Sequence, residues 1–152
     1  MGSEMCIRDR LDVNVLIALL DSQHVHHDRA HHWFAQHSSA GWATCPLTQN
    51  GVLRILGHPR YPNSPGSPAA VMPLLIGLLS HPHHRFWPDA LSWSATSAIR
   101  GDQVVAHGQF TDVYLLALAV HHQGMLVSFD ARINTRVVPG VQDALHLIRT
   151  SP

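Results

Sequence analysis

Residues 110–130 read FTDVYLLALAVHHQGMLVSFD, and this stretch decides the fold class. Its segment VYLLALAV at 113–120 is apolar on every side, which predicts a buried helix with Thr111 as N-cap and Asp112 in its first turn. The next run, MLVSF, is short and continuously apolar, as in a strand of a buried parallel sheet, and Asp130 ends it. A buried helix that leads into a buried strand indicates an α/β domain.

The rest of the chain continues this alternation of strands and helices. Periodic apolar stripes predict helices, and short β-branched or aromatic runs predict strands. We expect strands at 41–44, 85–87, 125–129 and 136–138, a strand that runs into a helical turn at 11–17, and helices at 27–37, 47–56, 69–79, 92–100 and 141–149. Alternation of this kind predicts a parallel sheet that helices cover on both faces.

Length and composition restrict the possible functions. A chain of 152 residues favours one domain. Ten basic and ten acidic residues give zero formal charge, so any binding of nucleic acid requires a local patch. Every basic residue is Arg, and the single Glu is Glu4, so an acidic site further along the chain must consist of Asp. Two cysteines, Cys6 and Cys45, exclude a disulfide framework and fit a reducing cytoplasm.

The N-terminal residues 1–10, MGSEMCIRDR, differ in character from the remainder of the chain. They are polar and carry both signs of charge, unlike a signal peptide. The apolar stretch 11–20 is too short and too polar to span a bilayer. We therefore interpret residues 1–10 as a non-native leader, 11–150 as a single domain, and the protein as cytoplasmic with no membrane partner.

Three aspartates stand within or just after a predicted strand, or at the start of the buried helix: Asp12, Asp130 and Asp112. Ligands of open parallel sheets bind at the carboxyl ends of the strands, so the three side chains could meet there. Clustered carboxylates repel one another unless a cation is bound, and oxygen ligands select Mg²⁺ or Mn²⁺. Each aspartate alone also has a structural interpretation, as a helix N-terminal charge or a turn residue.

Four motifs in chain order resemble the PIN-domain family, in particular the VapC-type toxins of bacterial toxin–antitoxin pairs. They are LDVNVLIALLD at 11–21, PLTQNGVLRIL at 46–56, FTDVYLLALA at 110–119 and VSFDARI at 127–133. The resemblance implies a three-layer α/β/α sandwich with a mainly parallel central sheet. It also implies a Mg²⁺-dependent endoribonuclease that hydrolyses RNA, with a small antitoxin as partner and a homodimeric state.

The resemblance assigns metal binding and catalysis to Asp12, Asp112 and Asp130. A further acidic position, usually Glu in the family, falls on Gln49, with Asn50 beside it as a polar substitute. A Gln can offer a carbonyl oxygen to a metal, but it removes one negative charge. This departure leaves open a catalytically weakened PIN-like module that binds RNA or a partner. A metal-dependent DNA nuclease is a further alternative.

Several other residues belong to the predicted site in supporting roles. Asn14 and Thr111 are expected to orient the ligands of the metal rather than to bind it. Arg54 and Arg60 could contact phosphates of RNA, although solvated surface charge is the simpler interpretation. The apolar helix at 69–79 could leave a surface patch for a second copy or an antitoxin, and ordinary core packing is its alternative.

Fourteen histidines form clusters, the first of them between residues 24 and 32. His27 and His31 are spaced i, i+4, as in helical zinc sites. No HExxH motif occurs and no cysteine lies nearby, so a structural zinc site lacks its usual partners. We expect most of these histidines to be exposed polar positions.

Overall fold

The computed structural model describes residues 9–94, 99–100, 102, 106–140 and 144–150. Within these ranges the chain is an α/β/α sandwich around a five-stranded sheet in which every neighbouring pair is parallel. The elements are β1 (Asp9–Leu11), α1 (Val13–Leu20), α2 (His27–His37), β2 (Trp42–Thr44), α3 (Pro46–Leu56), α4 (Pro68–Leu79), β3 (His84–Phe86), α5 (Phe110–His121), β4 (Met125–Ser128) and β5 (Leu145–Leu147). The predicted fold class is confirmed.

The strand order is β3-β2-β1-β4-β5. From β1 the chain adds β2 and β3 on one side and then returns to add β4 and β5 on the other. The direction of winding therefore reverses between β1 and β4. In sheets of this type, the crevice outside the carboxyl ends of such a strand pair is where ligands bind.

The two faces of the sheet carry separate apolar cores. Successive residues of a strand point to opposite faces, and in β4 Leu126 packs into one core while Val127 packs into the other. The Val127 core contains residues of α1, α2, α3 and α4. The Leu126 core is built on α5, whose residues Val113–Ala119 are all buried. This confirms the helix predicted to be apolar on every side.

The helices predicted at 27–37, 47–56 and 69–79 are confirmed to within one residue at either end. The N-cap prediction for Thr111 is wrong. A 3₁₀ turn at 107–109 leads straight into α5, which begins at Phe110 and has Gln109 at its N-cap position without a side-chain capping bond. Thr111 therefore lies inside the first turn.

Two predictions near the C-terminus are wrong. Residues 135–137 form a 3₁₀ turn rather than a strand, since Val137 and Val138 bury their side chains in the α5 core instead of pairing with the sheet. Within the segment predicted as a helix at 141–149, Leu145–Leu147 form β5, because residues 145–147 pair with β4 in parallel register. Residues 141–143, and residues 95–98 of the helix predicted at 92–100, lie outside the described residues.

The first strand is shorter than expected and begins earlier. Asp9 and Arg10, placed in the leader by the sequence interpretation, are part of β1, while residues 1–8 and the prediction for them lie outside the described ranges. The side chain of Arg10 is fully buried with its Nη2 4.0 Å from Asp89, and burial lowers its pKa. No described helix is long and apolar enough to cross a membrane.

Candidate active site

Asp12 lies where β1 ends and α1 begins. Its Oδ1 accepts a hydrogen bond of 2.7 Å from the backbone N–H of Val13, which makes it the N-cap of α1. Its Oδ2 accepts a bond of 2.7 Å from the Ser128 hydroxyl, because the β1–β4 register sets the end of β1 beside the end of β4. Burial raises the pKa of Asp12, and the bonds from Ser128 and Val13 oppose that rise.

The Ser128 hydroxyl joins three parts of this region. Besides donating to Asp12, its Oγ accepts bonds of 3.1 Å from Asn14 Nδ2 and 3.0 Å from the backbone N–H of Asp130. Asn14 Oδ1 in turn accepts the backbone N–H of Phe129 at 3.2 Å. Asn14 thus supports Asp12 through Ser128, whereas Ser128 itself was not among the predicted site residues.

Asp112 projects from the first turn of α5 and is half-buried. Burial, followed by the charges of Asp12 and Asp130, raises its pKa to about 6. Asp12 and Asp130 follow the neighbouring parallel strands β1 and β4, and α5, which leads into β4, carries Asp112 in its first turn. The structure therefore brings the three predicted aspartates to the same edge of the sheet.

Asp130 follows β4 and is held by Arg132. Its Oδ1 accepts bonds from the backbone N–H of Arg132 at 2.9 Å and from Nε at 3.1 Å. These interactions keep the pKa of Asp130 below its usual value. Among the described residues, Arg132 is the guanidinium that contacts a carboxylate of this group, and the predicted Arg54 and Arg60 are exposed elsewhere.

Gln49 lies on α3 at the end of β2. Its amide Nε2 donates to Thr44 Oγ1 at 3.0 Å, and the same hydroxyl contacts His84 Nε2 at 2.8 Å. The buried Thr44 thereby fixes the orientation of the Gln49 amide. The carbonyl oxygen of that amide accepts no hydrogen bond from the described residues. Asn50, the predicted substitute, and Thr111 are both exposed.

The donor set fits a hard divalent cation by its chemistry. Three carboxylates supply oxygen ligands only, and the pKa of Asp112 is raised first by burial and then by the charges of Asp12 and Asp130, all of which a bound cation would offset. The described residues contain no group of three His, Cys, Asp or Glu side chains arranged as a ready metal cage. Asp12 and Asp130 are instead engaged by Ser128 and Arg132.

The paired histidines of α2 serve the neighbouring helix. His27 Nδ1 donates to the carbonyl of Ala18 at 2.8 Å, and His31 Nε2 donates to that of Leu19 at 2.9 Å. Carbonyls in the last turn of a helix lack partners within the helix, so these two side chains cap the end of α1. The pair therefore has a structural role beyond that of exposed polar residues.

Comparison with known proteins supplies the family. The PIN domain model matches residues 11–137. Ribonuclease VapC44 of Mycobacterium tuberculosis is 45% identical over 134 residues, which is 88% of this chain and 94% of that protein. Ribonuclease VapC39 of the same organism is 42% identical over 135 residues, 89% of this chain and 97% of that protein. Ribonuclease VapC29 is 43% identical over 121 residues, 80% and 84% of the two chains. The chain therefore belongs to the PIN-domain family and is of the VapC type.

Proposed function

We propose that this protein is a Mg²⁺-dependent endoribonuclease and the toxin of a toxin–antitoxin pair. The observation that carries the proposal is the position of Asp12 and Asp130 just after the neighbouring strands β1 and β4, where the sheet reverses its winding, with Asp112 in the first turn of the helix that leads into β4. The relatives that match most of the chain are named ribonucleases, which favours RNA as the substrate.

In this proposal the three aspartates hold the cation, with Mn²⁺ as a possible replacement. Bound Mg²⁺ supplies a Lewis acid that polarises a phosphoryl oxygen and lowers the pKa of a water molecule. One of the three carboxylates would take a proton from the attacking water as its oxygen bonds to phosphorus and the P–O3′ bond breaks, and the departing 3′-oxygen would take up a proton from solvent. Ser128 fixes the orientation of Asp12, and Arg132 fixes that of Asp130.

Gln49 favours a second candidate, a PIN-like module that binds RNA or a partner with little cleavage. Its amide nitrogen is committed to Thr44, so only its carbonyl oxygen is free to approach a cation. A neutral ligand attracts a divalent ion less than a carboxylate does. Calorimetric titration with Mg²⁺ separates the two candidates, since the weakened module would take up little or no metal.

The test of the proposed function is cleavage of structured RNAs and matched DNAs with Mg²⁺ and with EDTA. We expect RNA cleavage that requires metal, and a loss of at least 100-fold in Asp112→Asn, in line with removal of a group that stabilises the transition state. Asp102→Asn, the same change at an exposed residue, serves as the control. Equal cleavage by wild type and Asp112→Asn removes Asp112 from the site, and cleavage confined to DNA supports the alternative nuclease.

The partner proposals are a small antitoxin and a second copy of the chain. Their support is the outer face of α4, where Met72, Leu74 and Ile76 are 41%, 46% and 55% exposed. Exposed apolar patches are typical of interaction surfaces, and Met72 and Ile76, four residues apart, share one face of α4. Light scattering of the purified chain tests the homodimer, and a short neighbouring reading frame whose product binds the chain tests the antitoxin.

A further inference from the structure

A groove of about 590 Å³ lies between α2 and the edge strand β5. Its volume is in the range of sites that bind small organic groups. None of Asp12, Asp112 and Asp130 lines it, and its lining combines aromatic rings with guanidinium groups. The residues that matter here are Arg29, Trp33, His37, His146 and Arg149.

The lining includes four ring side chains, and three of them, Trp33, His37 and His146, form a cluster. Trp33 and His37 are stacked, with ring centroids 5.0 Å apart and planes inclined by 24°. His146, from β5, lies 6.4 Å from Trp33 and 6.3 Å from His37. Trp33 is almost completely buried and forms the floor, whereas His37 is exposed. Flat aromatic surfaces of this kind are what unpaired nucleobases stack on.

The charged part of the groove favours a polyanion. Arg29 Nη1 donates to the backbone carbonyl of Arg149 at 3.2 Å, which brings both arginines to the same end. Asp28 is the carboxylate in the lining, so the groove carries two guanidinium groups and one negative charge. This local excess of positive charge contrasts with the zero formal charge of the whole chain. Guanidinium groups match the geometry of phosphate oxygens.

The arginine end of the groove is continuous with the carboxylate edge. Ile148 N–H donates to the carbonyl of Ser128 at 2.9 Å, so the end of β5 lies beside the end of β4. His26, just before α2, stacks on Phe129 with centroids 4.8 Å apart and planes inclined by 24°. Phe129 directly precedes Asp130. A second stacked pair therefore stands between the carboxylates and the groove.

We propose that this groove binds single-stranded nucleotides that flank the cleaved phosphodiester of the RNA substrate. A base stacks on the His37 side of the ring cluster, and Arg29 and Arg149 contact the adjacent phosphates. This inference rests on the proposed function for its substrate class. It adds a binding surface that the three aspartates do not supply.

The experiment measures RNA affinity in EDTA, where binding is separated from cleavage. A labelled, short, mixed-sequence single-stranded RNA is titrated by fluorescence anisotropy with wild type, His37→Ala and Arg149→Gln. Both changes are at exposed side chains, and circular dichroism verifies that each variant is folded. Arg85→Gln, at an exposed arginine on the opposite edge strand β3, is the matched control.

We expect His37→Ala to weaken binding about fivefold or more, the lower limit for loss of one stacked base. Arg149→Gln should weaken binding and lower the salt dependence by about one phosphate contact. The proposal is overturned if wild type shows no measurable RNA binding. It is also overturned if His37→Ala and Arg149→Gln bind the RNA as tightly as Arg85→Gln does. A polyglutamate peptide is titrated in parallel. If the groove variants lose affinity for the peptide but not for RNA, the proposal is overturned, and an acidic protein segment becomes the ligand that the groove fits. Absence of cleavage with Mg²⁺ counts instead against the proposed function.

Discussion

Asp112→Asn should stabilise the metal-free protein at neutral pH. The pKa of Asp112 rises from an ordinary value of 3.8 to about 6, because of burial first and then the charges of Asp12 and Asp130. One pKa unit equals about 1.4 kcal/mol, so the ionised side chain costs the fold at most about 3 kcal/mol. Because the residue is half-exposed, solvent screening reduces this cost to about 1–2 kcal/mol. For a chain of this size the gain in Tm is roughly 2–8 °C.

The dependence on pH distinguishes this cause from others. The folded protein holds the Asp112 proton more tightly than the unfolded chain does, so wild-type stability falls as pH rises from about 4 to about 6. The advantage of Asp112→Asn should therefore be complete above pH 6 and vanish near pH 4. Thermal and urea unfolding of both proteins in EDTA, at several pH values, measure it, with Asp102→Asn as the control. A variant no more stable than wild type at pH 7.5, or an advantage that persists unchanged at pH 4, refutes the raised pKa of Asp112.

Three further outcomes are expected. Ser128→Ala should lower the free energy of unfolding by about 1–3 kcal/mol and raise the pKa of Asp12 further, which urea unfolding and carboxyl NMR measure. Tyr61→Phe should cost about 1–2 kcal/mol, since its hydroxyl donates to Asp21 at 2.6 Å. Although burial opposes it, that bond helps to lower the pKa of Asp21, so the cost should shrink as pH falls below about 4 and the carboxyl becomes protonated. Mg²⁺ at about 100 times its dissociation constant should stabilise wild type by about 2.7 kcal/mol and Asp112→Asn by clearly less. Equal increases in Tm for the two proteins contradict the assignment of Asp112 as a metal ligand.

The fold was predictable where the local pattern and the tertiary environment agree. The buried helix α5 and the strand after it could be predicted from the sequence because both are apolar on every side. Only a parallel sheet covered by helices accommodates such elements. Residues 136–138 and 145–147 were misassigned because both are short segments near the edge of the sheet. Their state depends on whether a neighbouring strand offers a pairing partner, and β4 offers one only to the later segment.

The positions of the three aspartates relative to the strands and α5 were predictable, but the residues that orient them were not all found. Asp12 stands out as a charge inside the apolar stretch 11–20, and Asp130 stands out because it ends the apolar run 125–129. Ser128 has no such signal, since a serine at the end of a strand is ordinary, and only the register of β1 against β4 brings its hydroxyl to Asp12. Arg132 is two residues from the carboxylate that it binds, and this spacing alone does not separate a side-chain contact from solvated charge.

The three carboxylates are not equivalent, and the difference bears on how the site would work. Asp12 and Asp130 each accept hydrogen bonds that stabilise their charged forms. Asp112 accepts none from the described residues, and besides its burial it faces the repulsion of both neighbours, which the distant charge of Arg132 only partly offsets. A cation in the site would therefore lower the free energy of the fold mainly through Asp112. In the proposed metal site, Gln49 would add no fourth negative charge, so the site would have less repulsion to relieve than one with Glu at that position, and correspondingly less attraction for the metal.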